Sequence, residues 1–243
     1  CDPPAPPSHR VAVAFAIRSE VRVAASRLAL ERADVAEIRL DENAVAQQPD
    51  GWWVDRDIET VTLPDLEPGE HRLEISWPLG DATGLEACYL LGDFGVHVAG
   101  TRARLTAPVR ELTFGDWTQQ GLAFYGGNVT YHCEAARPDG PWALRVPHFR
   151  NPLIAVEHEG QRVGRIIHSP YRLQMPDDAA RRSRLDLIAF GNRFNTFGCV
   201  HNVDPNASWF GPPAWRTEGS NWTDGYKLRP CGILVAPMIE QSS

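Results

Sequence analysis

Large aromatic residues are concentrated in a turn-rich segment between residues 201 and 226, and planar polar residues accompany them. The residues selected as a candidate binding site are Trp209, Trp215, Trp222, Tyr226, Asp224, Asn202 and His201. A sugar ring presents apolar C–H faces and hydroxyl edges, so its binding site pairs an aromatic platform with planar polar groups. The segment therefore predicts carbohydrate binding, with Trp215 and Trp222 as the stacking rings. Asp224 and Asn202 are the expected hydroxyl partners. The alternative is that these rings fix a long loop against the core.

A second aromatic pair, Trp52 and Trp53, lies in a strand-like pattern. Adjacent residues of a strand point to opposite faces, so one of the two rings must face away from the core. That outward ring is either a further binding surface or a packing element.

The sequence shows no pair of carboxylates with the spacing that glycoside hydrolysis needs. A glycosidase needs two carboxylates facing each other across the scissile bond, and the spacing of Asp93, Asp116, Glu134 and Asp224 pairs none of them. The histidines lack a metal-ligand spacing, and no phosphate loop or dinucleotide fingerprint occurs. We therefore assign no catalytic and no metal-binding residue and expect no cofactor. The five cysteines are widely spaced without a CxxC pair, so a disulfide framework is not expected.

Composition restricts the partners. The net charge of −7 over 243 residues argues against a nucleic-acid partner, and no apolar run approaches the ~18 residues needed to span a membrane. Lys227 is the only lysine, as in a protein from a GC-rich bacterial genome. Cys1 followed by a proline-rich stretch indicates either a lipidated bacterial N-terminus or a piece that begins at a cysteine. The sequence leaves a cytoplasmic or a secreted location open.

Period-two alternation dominates the chain. Leu73, Ile75 and Trp77 alternate with polar neighbours, and so do Leu185 and Leu187. Short alternating runs bounded by Gly, Pro and Asp predict strands with one buried face. The alanine-rich stretch 19–38 can also be drawn as a helix, but its β-branched residues favour strands. The prediction is an all-β protein.

An internal repeat divides the chain. A strand pair around Leu63 and Leu73 matches a second pair around Met175 and Leu185, and both offsets are 112 residues. A repeat of this length is the size of one domain. We predict a linker over residues 1–8, a first β-sandwich over 9–108 and a second over 109–240.

The repeat also carries a family resemblance. Its residues are 154–156, 160–164, 169–173 and 184–187 in the second half, with a supporting turn at 69–73 and a segment at 115–131 that resembles the entry to a sugar-binding sandwich. They resemble the galactose-binding-like jelly rolls of large glycoside hydrolases, such as family 2 enzymes and rhamnosidases. The resemblance implies two tandem antiparallel β-sandwiches of jelly-roll, galactose-binding-like type.

Function follows from that resemblance and not from spacing. Such enzymes carry their catalytic residues on a barrel, and this chain has no strand–helix alternation of barrel size. The resemblance implies a carbohydrate-binding or scaffolding accessory region, with a glycan and the catalytic domain of the parent enzyme as partners. Two alternatives stay open: a part of a catalytic glycosidase that contributes pocket-edge residues such as His201 and Asn202, or a ligand-free structural spacer.

Overall fold

The computed structural model describes residues 7–45, 48–80, 85–136, 138–176, 182–204 and 211–241. Nearly all regular structure in these ranges is β-strand, which confirms the predicted all-β class. Helical geometry among them is limited to one turn of α-helix, α1 (Phe194–Phe197), and two 3₁₀ turns, Trp117–Gln120 and Pro212–Trp215. By contact the chain divides into two compact units, Cys1–Gly95 with Ala103–Pro108, and Val96–Arg102 with Val109–Ser243.

Among the described residues before 108 there are ten strands. They are β1 (His9–Ser19), β2 (Arg27–Glu31), β3 (Glu37–Leu40), β4 (Asn43–Ala44), β5 (Gly51–Trp53), β6 (Asp55–Thr62), β7 (Gly69–Leu79), β8 (Tyr89–Leu91), β9 (Gly95–Ala99) and β10 (Arg102–Thr106). In the first unit one sheet runs β4-β3-β7-β1-β10 and the other runs β5-β6-β2-β8. The ambiguous stretch 19–38 thus contains β2 and the start of β3, as the strand interpretation predicted.

The first unit is held by long antiparallel pairing and alternate burial. β1 and β7 pair over their full lengths, from His9↔Leu79 to Ser19↔Gly69. Leu73 and Ile75 of β7 are buried, as is Leu30 of the other sheet, so each sheet turns an apolar face inward. The pairing of β1 with β10 is parallel, at Ser19↔Leu105. This is a local departure from the antiparallel prediction.

The part of the second unit that the structure describes after residue 108 contains seven strands. They are β11 (Val129–Ala136), β12 (Trp142–Arg145), β13 (Ile154–His158), β14 (Gln161–Ile166), β15 (Arg172–Gln174), β16 (Arg182–Ala189) and β17 (Met238–Gln241). One sheet runs β11-β16-β13-β14 and the other β15-β12-β17. Their apolar side chains form a core that includes Trp117, Trp142, Ile154, Ile166, Leu185 and Leu187.

A loop that begins at Gly115 is fastened to a segment far along the chain. The Asp116 carboxylate accepts from the amide and the hydroxyl of Thr118 and, at 3.1 Å, from the amide of Cys231, 115 residues away. The amide of Trp117 donates to the Cys231 carbonyl, and the amide of Gly115 donates to that of Ile233. These contacts hold Trp117 in the core of the second unit, together with Cys231 and Ile233.

Candidate functional site: a ring stack in the second unit

The seven predicted residues do not all meet. Trp209 lies outside the described residues. Trp215 ends the 3₁₀ turn Pro212–Trp215 with 54% of its surface exposed. Among the described residues it makes no ring contact with the other candidates. The remaining five, His201, Asn202, Trp222, Asp224 and Tyr226, converge.

His201 lies between two aromatic rings. Its centroid is 4.7 Å from that of Trp222 and 4.7 Å from that of Tyr226, with interplanar angles of 30° and 42°. Tyr226 in turn meets the ring of Phe124 edge-on at 5.4 Å. Trp222 stands at one end of this row of rings and is half-buried.

Backbone hydrogen bonds between two loop segments hold the stack. Asn202 and Trp222 form an isolated antiparallel bridge, and the amide of Thr223 donates to the carbonyl of His201 at 2.9 Å. The amide of Lys227 donates to the carbonyl of Val200 at 2.7 Å. Because the segments are joined by backbone as well as by rings, the ring geometry is set before any ligand arrives.

The tautomer of His201 follows from its partner. Nδ1 lies 3.1 Å from the carbonyl oxygen of Thr223. A carbonyl only accepts, so Nδ1 carries the proton, and in the neutral imidazole Nε2 is the accepting nitrogen. That ring can therefore accept a hydrogen bond from a hydroxyl group.

The two predicted hydroxyl partners have defined internal contacts. The indole Nε1 of Trp222 donates to Oδ1 of Asp224 at 3.0 Å, and Asp224 is exposed. The side-chain oxygen of Asn202 accepts from the amide of Asp204 at 3.0 Å. The Trp222 indole thus orients Asp224. The side-chain oxygen of Asn202 is occupied by the amide of Asp204, and its NH₂ group is a donor.

Several residues near the stack were missed from the sequence. The guanidinium of Arg229 lies over the ring of Phe194, 3.7 Å from its centroid. Asn195, 4% exposed, holds the backbone of Arg229 from both sides, with both bonds at 2.9 Å. Burial raises the pKa of the Cys199 thiol, and Arg229 opposes that shift. The sequence signal for this cluster was weak, because Phe124, Phe194 and Arg229 are far apart in the chain.

Within the described ranges the second unit and the first lack two kinds of feature. No group of three or more His, Cys, Asp and Glu side chains there is placed to hold a metal ion. No helix there is long and apolar enough to cross a membrane.

Comparison with known proteins finds distant likenesses to solved structures. No family model matches the chain, and no curated protein matches it. Among solved structures, a rhamnosidase from Novosphingobium sp. PP1Y aligns with 94% of this chain at 16% identity and a TM-score of 0.33. An alpha-L-rhamnosidase from Streptomyces avermitilis, solved with L-rhamnose, aligns with 77% at 14% identity and a TM-score of 0.30. The chain spans 22% of the length of each of these proteins.

Proposed function

We propose that this chain is an accessory region of a glycoside hydrolase that binds carbohydrate through the second unit. The observation that carries the proposal is the stack of Trp222, His201 and Tyr226, whose ring spacings are 4.7 Å. All three rings are only half-buried, and the exposed carboxylate of Asp224 lies beside them. A pyranose needs this combination of an aromatic face and an adjacent hydrogen-bonding group.

The polar groups beside the rings can orient a bound sugar through hydrogen bonds. Asp224 accepts from the indole of Trp222 through one oxygen, and a carboxylate has further accepting positions. His201 adds an acceptor at Nε2 in its neutral form, and Asn202 adds an amide donor. In this proposal Trp222 supplies the stacking face, and Trp215, exposed on a neighbouring turn of the chain, supplies a second one.

The test compares binding with stability. Trp222→Ala and Trp215→Ala are screened on a glycan array and then titrated with the glycan that the wild-type chain binds. Each lost ring should cost about 1–3 kcal/mol of affinity, by analogy with stacking on aromatic platforms. Trp215→Ala should melt like the wild type, because its ring is 54% exposed. Ile167→Ala, which removes an exposed apolar side chain of the same unit, is the matched control and should keep full binding.

A ligand-free spacer is the second candidate, because the rings of the stack already contact one another. If both tryptophan variants melt far below the wild type and no glycan binds the wild-type chain, the rings are packing elements. The spacer hypothesis is then correct. A hydrolase assay of the same preparation separates binding from catalysis. Turnover by the isolated chain would contradict an accessory role.

A further inference from the structure

The adjacent residues Trp52 and Trp53 of the first unit have different surroundings. The ring of Trp53 is half-buried and lies 5.0 Å from the ring of Tyr89, at 52°. Trp52 is 57% exposed, the largest exposed fraction among the large apolar side chains described. The pair is thus divided into one packed ring and one exposed ring. Packing in the sheet therefore accounts for Trp53 but leaves Trp52 without a structural role.

The backbone is irregular next to this exposed ring. The register of β5 and β6 shifts between Trp52 and Trp53, as at a β-bulge, which redirects side chains. The next residue, Val54, has a φ of 69°. A β-branched side chain is unfavourable in that left-handed region, and such outliers accumulate at functional sites. The hairpin thus holds an unfavourable conformation while Trp52 stays exposed.

Polar groups lie on the same side of the sheet as Trp52. Its cross-strand partner is Glu59, and directly opposed side chains share one face. Glu59 is in turn opposite the buried Leu30 of β2, so the exposed ring of Trp52, on the edge strand β5, extends the inward face of this sheet beyond the core. Just past β2, Arg32 donates to Asp34 in a two-point pair, at 3.0 Å from Nε and 3.4 Å from Nη2. Arg32 directly follows Glu31, whose cross-strand partner is Ile58, the neighbour of Glu59 in β6, so the ion pair begins at the end of the strand that pairs with Glu59.

We propose that Trp52, Glu59 and the Arg32–Asp34 pair form a binding site for one neutral pyranose ring. The apolar face of the sugar stacks on Trp52, and its hydroxyl groups exchange hydrogen bonds with Glu59 and with the planar guanidinium–carboxylate pair. The site lies wholly within the first unit and does not depend on the stack at His201. Its acidic side chains, Glu59 with Asp57 beside it in β6, repel a carboxylate, so a uronic acid is excluded.

The same composition argues against a protein-docking surface. The core of a protein interface is depleted in charged residues and enriched in several large apolar side chains. Here the single ring of Trp52 is bordered by exposed or half-exposed charged residues. A small ligand with a hydroxylated edge matches that border, and a flat apolar partner does not.

The experiment follows the eight tryptophan indole N–H resonances of the full chain in nitrogen-15 spectra. The probes are methyl β-D-glucoside, methyl β-D-galactoside, methyl α-L-rhamnoside and glucuronic acid. We expect at least one neutral glycoside to shift the Trp52 resonance saturably, and glucuronic acid to leave it in place. Trp52→Ala should abolish binding by the first unit without a change in melting temperature. Glu59→Gln should weaken binding about fivefold, because a charged hydrogen-bond acceptor is lost. Phe15→Ala, which removes another exposed aromatic ring of this unit, is the control and should change nothing.

Three results would overturn the proposal. One is a Trp52 resonance that no neutral glycoside moves saturably. Another is a shift that Glu59→Gln leaves at full affinity. The last is a resonance that responds to protein concentration instead of sugar, which would make Trp52 a self-association contact. The Trp222 resonance in the same spectra reports on the second unit, so failure of either site is recognised separately.

Discussion

The two units each place a histidine–aspartate pair beside a central strand, but they bury opposite partners. In the first unit His71 of β7 has an 11% exposed side chain and lies 2.6 Å from Asp41, which is 45% exposed. In the second unit Asp186 of β16 is the 11% exposed partner, 2.7 Å from His132, which is 64% exposed. The buried partner determines whether each unit loses stability at high pH or at low pH.

The difference follows from what surrounds each buried group. Nδ1 of His71 faces Asp41, and Nε2 faces the carbonyl of Glu67 at 2.7 Å. Two acceptors are satisfied only when both nitrogens carry protons, and they raise the pKa of His71, the Glu67 carbonyl most of all. Asp186 instead accepts from His132 and Arg184, which lower its pKa. The first pair thus stabilises a cation, and the second stabilises an anion.

The largest effects should come from the leucines that the repeat aligns. Leu73 and Leu185 are 3% and 2% exposed, and each lies on a strand with antiparallel neighbours on both sides. Leu73→Ala and Leu185→Ala should each lower the free energy of unfolding by about 2–5 kcal/mol. Urea denaturation measures this. A cost below 1 kcal/mol at one position only would show that the two strands are not equivalent.

An intermediate effect is expected for the anionic pair. Asp186→Asn should cost about 1–3 kcal/mol at pH 7, because a charge-assisted network with His132 and Arg184 is lost. A lowered pKa gives stability that is complete above the ordinary aspartate range, near ~4, and that disappears as pH falls through the folded value. The wild type and the variant should therefore converge in acid when unfolding is followed from pH 7 to pH 3. A constant difference would show that the charge of Asp186 is not responsible.

The smallest effect belongs to the cationic pair. Since Asp41 is 45% exposed, His71→Gln should cost no more than about 1 kcal/mol. A raised pKa gives stability that is complete below the ordinary histidine value, near ~6.5, and that is lost as pH rises through the folded value. The difference in unfolding free energy between wild type and variant should be widest below the ordinary histidine value and should shrink as pH rises through the raised pKa of His71. If the difference in unfolding free energy grew with pH, the pair would not stabilise a protonated His71.

Local pattern predicted the strands, because alternation is a property of neighbouring residues. Leu73, Ile75 and Trp77 are all buried in β7, as their spacing required. The parallel pairing of Ser19 with Leu105 had no such signal, since it depends on where a distant strand arrives. The His132–Asp186 pair, 54 residues apart, was unpredictable for the same reason.

Within the candidate site, composition selected the segment but not the arrangement. The aromatic richness of residues 201–226 indicated a cluster, and five of the seven residues do converge. That His201 lies between Trp222 and Tyr226 depends on the loop turning back on itself, which no spacing rule shows. Trp215 looked equivalent to Trp222 in the sequence, yet its turn leaves it outside the stack.

The hydrogen bond between Asp116 and Cys231 has a consequence for the order of folding. Trp117 is 1% exposed, and its loop is fixed by residues synthesised 115 positions later. At ribosomal rates of ~5–20 residues per second, that segment emerges on the order of ten seconds after Trp117 does. Contacts of such sequence separation also slow folding in solution, because loop closure must precede them. The second unit therefore completes its core only after Cys231 has left the ribosome, and until then Trp117 is open to chaperones and to misassembly.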